Sequence, residues 1–148
     1  MPLVAIPRSN LLAPCLRAAA FAAAGLAVAF SAQAQSASAL PAWKGEGATR
    51  HVCGGIGSDE SKAMRAAMKS HPLALLFARS DGAYMADVQV EIKGADGATA
   101  LSLRADGPVC LVDIPAGRYT IDATTRGGDT KSQTVTVGSG SKTASFRF

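Results

Sequence analysis

From residue 73 onward, apolar and polar positions alternate in short runs, each closed by Gly, Pro or Asp. A period of two residues puts one apolar face against a core, as a half-buried strand requires. Asp87-Val-Gln-Val-Glu-Ile-Lys93 alternates strictly, with Val88, Val90 and Ile92 facing one way. Leu73-Ala-Leu-Leu-Phe-Ala-Arg79 is apolar enough to be a buried strand. Ala100 to Arg104, Val109 to Ile114, Tyr119 to Ala123, Gln133 to Val137 and Thr143 to Phe148 complete the series. Between them lie Ser80-Asp-Gly82, Gly94-Ala-Asp-Gly97, Asp106-Gly-Pro, Pro115-Ala-Gly117, Arg126-Gly-Gly-Asp129 and Gly138-Ser-Gly-Ser141. Asp-Gly in particular signals a hairpin turn. Seven short strands about ten residues apart predict a mainly β chain, folded as a seven-stranded antiparallel β-sandwich over residues 73–148.

The pattern changes upstream. Arg50-His-Val-Cys-Gly-Gly-Ile-Gly57 carries three glycines within four residues of a cysteine, which points to a tight turn or a close backbone approach. Ser58-Asp-Glu60 opens like a helix, with Ser58 as cap and two carboxylates at the positive end of the dipole. Met64, Ala67 and Met68 recur at helical spacing, and Pro72 ends the run. One short N-terminal α-helix, about Ser58 to Ser70, is expected, with the methionines as its packing face. Residues 35–49 are small, polar and without period, and read as a flexible tail. Trp43 is the exception, as an exposed contact or as an anchor packing the tail onto the domain.

Residues 1–34 have the layout of a secretory signal peptide. Arg8 and Arg17 precede the apolar run Ala18 to Phe30, and Ser31-Ala-Gln-Ala34 is a small-residue cleavage site. The apolar run is about 13 residues, short of the roughly 20 that span a bilayer. An uncleaved membrane anchor is the other reading of this segment. Cleavage after Ala34 implies a periplasmic or secreted protein without a membrane anchor. Cys15 precedes the apolar run and leaves with the peptide.

Removal of Cys15 leaves Cys53 and Cys110. In an oxidising compartment an even pair points to a disulfide, with free buried thiols as the alternative. Such a bond would staple the Gly-rich segment and the helix onto the sandwich. The net charge of the whole chain is +4, and without Arg8 and Arg17 the balance is 13 basic against 11 acidic residues. The charges are scattered, which is not the clustered footprint of a nucleic-acid binder.

The stretch from Ala86 to Val137 resembles the carboxypeptidase regulatory-like domain of the transthyretin-like, or prealbumin-like, β-sandwich group. The resemblance rests on Asp87-Val-Gln-Val-Glu-Ile, Gly94-Ala-Asp-Gly97, Asp106-Gly and Ile114-Pro-Ala-Gly-Arg-Tyr-Thr-Ile121. Cys53-Gly-Gly-Ile-Gly-Ser-Asp-Glu also looks like a motif of small secreted Gram-negative proteins that carry such a domain. The resemblance implies a folding or interaction unit; the zinc peptidase module that gives the family its name has no counterpart here. The transthyretin-like hydrolases end in Tyr-Arg-Gly-Ser, whereas this chain ends Ser-Phe-Arg-Phe148. Apart from the family, Pro115 and Gly117 favour a tight reversal, and Tyr119 can pack its ring and bond backbone at that structural turn.

Candidates for chemistry are few. A zinc site needs three or four ligands, and neither His51 nor His71 has organised companions in the sequence. His71 stands at a helix end, where it can meet the last carbonyls. No catalytic residues, cofactor or metal are expected. The leading reading is a non-enzymatic module whose partner is another envelope protein. A carbohydrate or small-ligand module, with Trp43, Tyr84 and Tyr119 as the aromatic candidates, is the first alternative. An unrecognised hydrolase using Cys53 or His51 is the second.

Overall fold

A computed structural model describes residues 40–148. The predicted signal peptide, its cleavage site, Cys15 and residues 35–39 of the tail lie outside the described residues. Nine strands and one short helix follow in the order β1 (Lys44–Glu46), β2 (Thr49–Gly54), α1 (Ser58–Ala67), a 3-10 turn (Met68–Ser70), β3 (Leu73–Ala78), β4 (Val88–Gly94), β5 (Thr99–Ala105), β6 (Val109–Asp113), β7 (Gly117–Thr124), β8 (Thr130–Val137) and β9 (Lys142–Arg147). The seven runs expected to be strands are β3 to β9. The count of seven is corrected to nine, because the segments before the helix add β1 and β2.

The strands form two sheets. One has the order β1-β2-β6-β3-β9 and the other β5-β4-β7-β8. The expectation of a wholly antiparallel sandwich is also corrected, since β3 and β9 run parallel from Leu73↔Lys142 to Ala78↔Arg147. A period of two residues records which side chains share a face, not the direction of the neighbouring strand.

The core lies between the sheets. Leu73, Leu75, Phe77, Cys110, Val112, Ala144 and Phe146 from the five-stranded sheet meet Val88, Val90, Ile92, Leu103, Tyr119, Ile121 and Val137 from the other. Phe77 and Phe146 are register partners and stack with ring centroids 5.7 Å apart. A second, smaller cluster lies on the outer face of the five-stranded sheet. There Val52, Ala74, Val109 and Leu111 pack against Met64, with Ala67 and Met68 beside it. Met64 is fully buried, so the methionine face of α1 packs as expected. Strands β3 and β6 are therefore apolar on both sides, because each faces the sandwich core with one set of side chains and the helix with the other.

The start of the helix differs from its sequence reading. Gly57, with φ 95°, is the N-cap, and no side chain caps the helix there. Ser58 is the first helical residue. Glu60 reaches back instead, and its Oε1 accepts the Gly55 N–H at 2.6 Å. This satisfies an amide in the positive-φ loop that leads into the helix.

The glycines of this region answer to a close backbone approach. Gly54 ends β2 against Gly107, and a Cβ on Gly107 would lie 2.8 Å from the Gly54 Cα and closer still to its carbonyl group. Neither backbone can yield without breaking the β2–β6 ladder, which ends at Gly54↔Val109. Gly107→Ala is therefore expected to destabilise the protein by about 1–3 kcal/mol, the usual range for overpacking. Denaturant titration measures this, and an unchanged midpoint would contradict the packing described.

Candidate functional site

The structure joins Cys53 to Cys110 in a disulfide. The two residues are direct register partners on antiparallel strands β2 and β6, with Cα atoms 4.1 Å apart. Close Cα separation of this kind is typical of a non-hydrogen-bonded antiparallel pair, where side chains approach most nearly. Cys110 is buried in the sandwich core and Cys53 packs against it. While the bond is intact, Cys53 presents no thiolate to a substrate.

The turn residues sit where β6 leaves for the opposite sheet. Tyr119 is buried in the core, and its hydroxyl donates to the Pro115 carbonyl at 2.8 Å. Gly117 is the first residue of β7 and does not have a positive φ, so the reversal does not draw on a left-handed glycine. A Cβ there would lie 3.5 Å from the Tyr119 ring, an ordinary contact. The reversal is held by the tyrosine hydrogen bond.

A polar cluster that the residue pattern does not announce forms at the other margin of the β2–β6 pair. Asp113 and Arg50 are cross-strand partners, and Arg50 Nε donates to Asp113 Oδ2 at 2.9 Å. His71, just before β3, places Nδ1 2.8 Å from Asp113 Oδ1. With Asp113 ionised, Nδ1 carries the proton and donates. Trp43 completes the group, its ring centroid 4.9 Å from that of His71 and 4.8 Å from the Arg50 guanidinium carbon. Trp43 thus packs onto the domain, and His71 serves a carboxylate where helix-terminal carbonyls were expected. Burial pulls the Asp113 carboxyl upward, but the hydrogen bonds and charges of His71 and Arg50 outweigh it and leave the pKa below its ordinary value.

A His–Asp pair is the part of a catalytic apparatus that orients a general base. The adjoining depression, about 170 Å³, is lined by Lys69, Ser70, His71, Pro72 and residues 138–141. The Ser141 hydroxyl donates to the Met68 carbonyl at 2.7 Å. Among the described residues, no hydroxyl or thiol is hydrogen-bonded to His71 or His51. The arrangement shown is a hydrogen-bonded tie among β2, β6 and the segment before β3, with the Trp43 ring packed against it.

His51 lies on the same face of β2 as Cys53. Its Nδ1 is buried without a hydrogen-bond partner. Burial foremost, and then the Lys44 charge, lower its pKa, with Asp106 opposing. The ring is accordingly neutral at neutral pH. Among the described residues, no three His, Cys, Asp or Glu side chains gather to hold a metal. No described helix is long and apolar enough to cross a membrane.

No protein-family model matches this chain, and no curated protein matches it in sequence.

The cluster around Asp113 makes a prediction about acid stability. A carboxyl whose folded pKa lies below its unfolded value adds stability above the unfolded value, about 4. That contribution disappears as the pH falls through the folded pKa. Between about pH 5 and pH 3, wild-type protein should therefore lose more stability than Asp113→Asn, which has no such carboxyl. Urea titrations across this range measure the two slopes, and equal slopes would remove Asp113 from the account.

Proposed function

We propose that this chain is a non-enzymatic, extracytoplasmic β-sandwich module that binds another protein of the cell envelope. In this reading the sandwich is of the carboxypeptidase regulatory-like, prealbumin-like kind, and residues 1–34 are a cleaved signal peptide. The order of strands, Asp-Gly turns and the Pro115–Tyr119 turn supports the fold assignment. The disulfide supports an oxidising compartment.

The observation that carries the binding role is the location of the exposed large hydrophobics. Ile56 and Tyr84 are 64% and 51% exposed, and are the two such residues among those described. Both stand at one end of the five-stranded sheet. Ile56 lies between two positive-φ glycines, and its neighbour Gly55 would bring a Cβ within 3.5 Å of Pro108. The Pro108 carbonyl accepts the Phe77 N–H near the end of β3. Tyr84 follows, bridged to Ala78, with the Arg65 guanidinium 4.6 Å from its ring. Exposed tyrosine with stacked arginine is the composition favoured in protein interfaces. Loops on a rigid scaffold are also the usual carriers of binding residues.

A photo-crosslinking amino acid at position 84 tests this in envelope extracts, with position 120 on the outer face of the opposite sheet as control. The expected result is a defined protein captured from position 84 and not from position 120. The same capture pattern from both positions, or none from position 84, would reject the proposal.

A further inference from the structure

The same end of the molecule holds a charged site with an unusual backbone. Asp87 is the sole non-glycine residue with positive φ, at 60°, among those described. That conformation is uncommon outside glycine, although aspartate tolerates it better than most residues. Its N–H donates to the Ala105 carbonyl at 2.7 Å, which fixes the residue at the open end of β4 and β5. The carboxylate then holds two arginines from two further segments. Arg104, near the end of β5, donates Nε and Nη2 to Oδ1 at 3.2 and 2.7 Å. Arg126, in the β7–β8 turn, donates Nη2 to Oδ2 at 2.9 Å.

The donor balance is uneven. Each guanidinium has five N–H groups, and one carboxylate engages only a few of them. One negative charge also stands against two positive ones. Gln89 and Thr124 line the same depression, about 220 Å³, and add polar groups. Next to it lies a second depression of about 380 Å³ that shares Thr125 and Arg126. Its wall includes Met85, Ala86 and Phe148, which offer apolar surface, and also the charged residues Arg79 and Asp129, one of each sign. Hydrogen bonds from Arg104, and the charges of both arginines, hold the Asp87 pKa below its ordinary value, so the group stays ionised and keeps its hold on the arginines at neutral pH.

We propose that Arg104 and Arg126, oriented by Asp87, form a docking site for a carboxylate side chain of a partner polypeptide, with an adjacent apolar side chain of the partner resting against Met85 and Phe148. The proposal rests on the reading of this end as a protein-binding surface and adds the chemistry of what binds. A planar fork of N–H donors matches a carboxylate in two-point geometry. Asp87 acts as a positioning residue, since it presents the guanidiniums and leaves their outer N–H groups to the partner. Recognition of acidic motifs by paired arginines is an established mode of peptide binding.

Titration calorimetry with the disulfide-bonded protein supplies the test. The probe is a capped tetrapeptide with adjacent glutamate and leucine, and the comparison is the same peptide with glutamine for glutamate. The glutamate peptide should bind more tightly, and binding should weaken as salt is raised. Arg104→Gln and Arg126→Gln should each weaken it roughly two- to fivefold, the range for exposed charge pairs. Arg118→Gln, away from the site, should leave it unchanged. Both substituted arginine side chains are exposed, and an unchanged melting temperature confirms the fold of each variant. Equal affinity for the two peptides, or indifference to both arginine substitutions, would overturn the proposal. Should this occur while position 84 still captures a partner, the carboxylate site fails and the binding surface stands. Peptide recognition without crosslinking from position 84 would give the converse.

Discussion

The pairing of β2 with β6 is the constraint on which the rest of the structure depends. It runs from Arg50↔Asp113 to Gly54↔Val109 and is locked through Cys53–Cys110. With β2 in place, β6 becomes an interior strand, flanked by β2 and β3. Its Cys110 and Val112 then enter the sandwich core, while Val109 and Leu111 form the floor under α1. Closing a loop of 57 residues by a disulfide contributes about 4 kcal/mol in the chain-entropy view. That is comparable with the whole net stability of many small domains. The helix is too short to be stable by itself, so it depends on this floor.

Much of the sandwich is written locally in the chain. Strict alternation identifies β4, and a continuous apolar run identifies β3 because two layers cover it. The Asp96-Gly97 turn appears as expected, with Gly97 at φ 80° and its N–H donating to the Gly94 carbonyl. Strand β2 has no such signature. Arg50, Val52 and Gly54 share its helix-side face, yet one is a charge and one lacks a side chain. Their roles depend on a partner elsewhere, namely Asp113 for Arg50 and the Gly107 backbone for Gly54. The parallel β3–β9 pairing is hidden for a related reason, since it joins segments about 70 residues apart.

The polar sites show the same division. Cysteine counting finds the disulfide, because Cys53 and Cys110 are the two cysteines left once Cys15 is set aside with the expected signal peptide. The Asp113–His71–Arg50–Trp43 cluster and the Asp87–Arg104–Arg126 group are assembled from three or four separate segments each. No spacing along the chain encodes them, and only the strand register brings them together. The one local hint is Asp87, an aspartate at the mouth of a strand, where a left-handed residue is tolerated. In the reading proposed, the disulfide side of the molecule supplies rigidity. The Gly54–Gly107 end then offers Ile56, Tyr84 and Arg126 on loops, and Arg104 at the end of β5, on a fixed frame.

Hydrogen exchange in the oxidised and reduced protein tests the central claim most directly. If the β2–β6 lock holds the helical layer, reduction should raise exchange first in β2 and α1, by roughly the factor equivalent to 2–4 kcal/mol. Strands β4 and β7 of the opposite sheet should keep most of their protection. Equal protection of β2 and α1 in both forms would contradict the account, as would a uniform loss across both sheets.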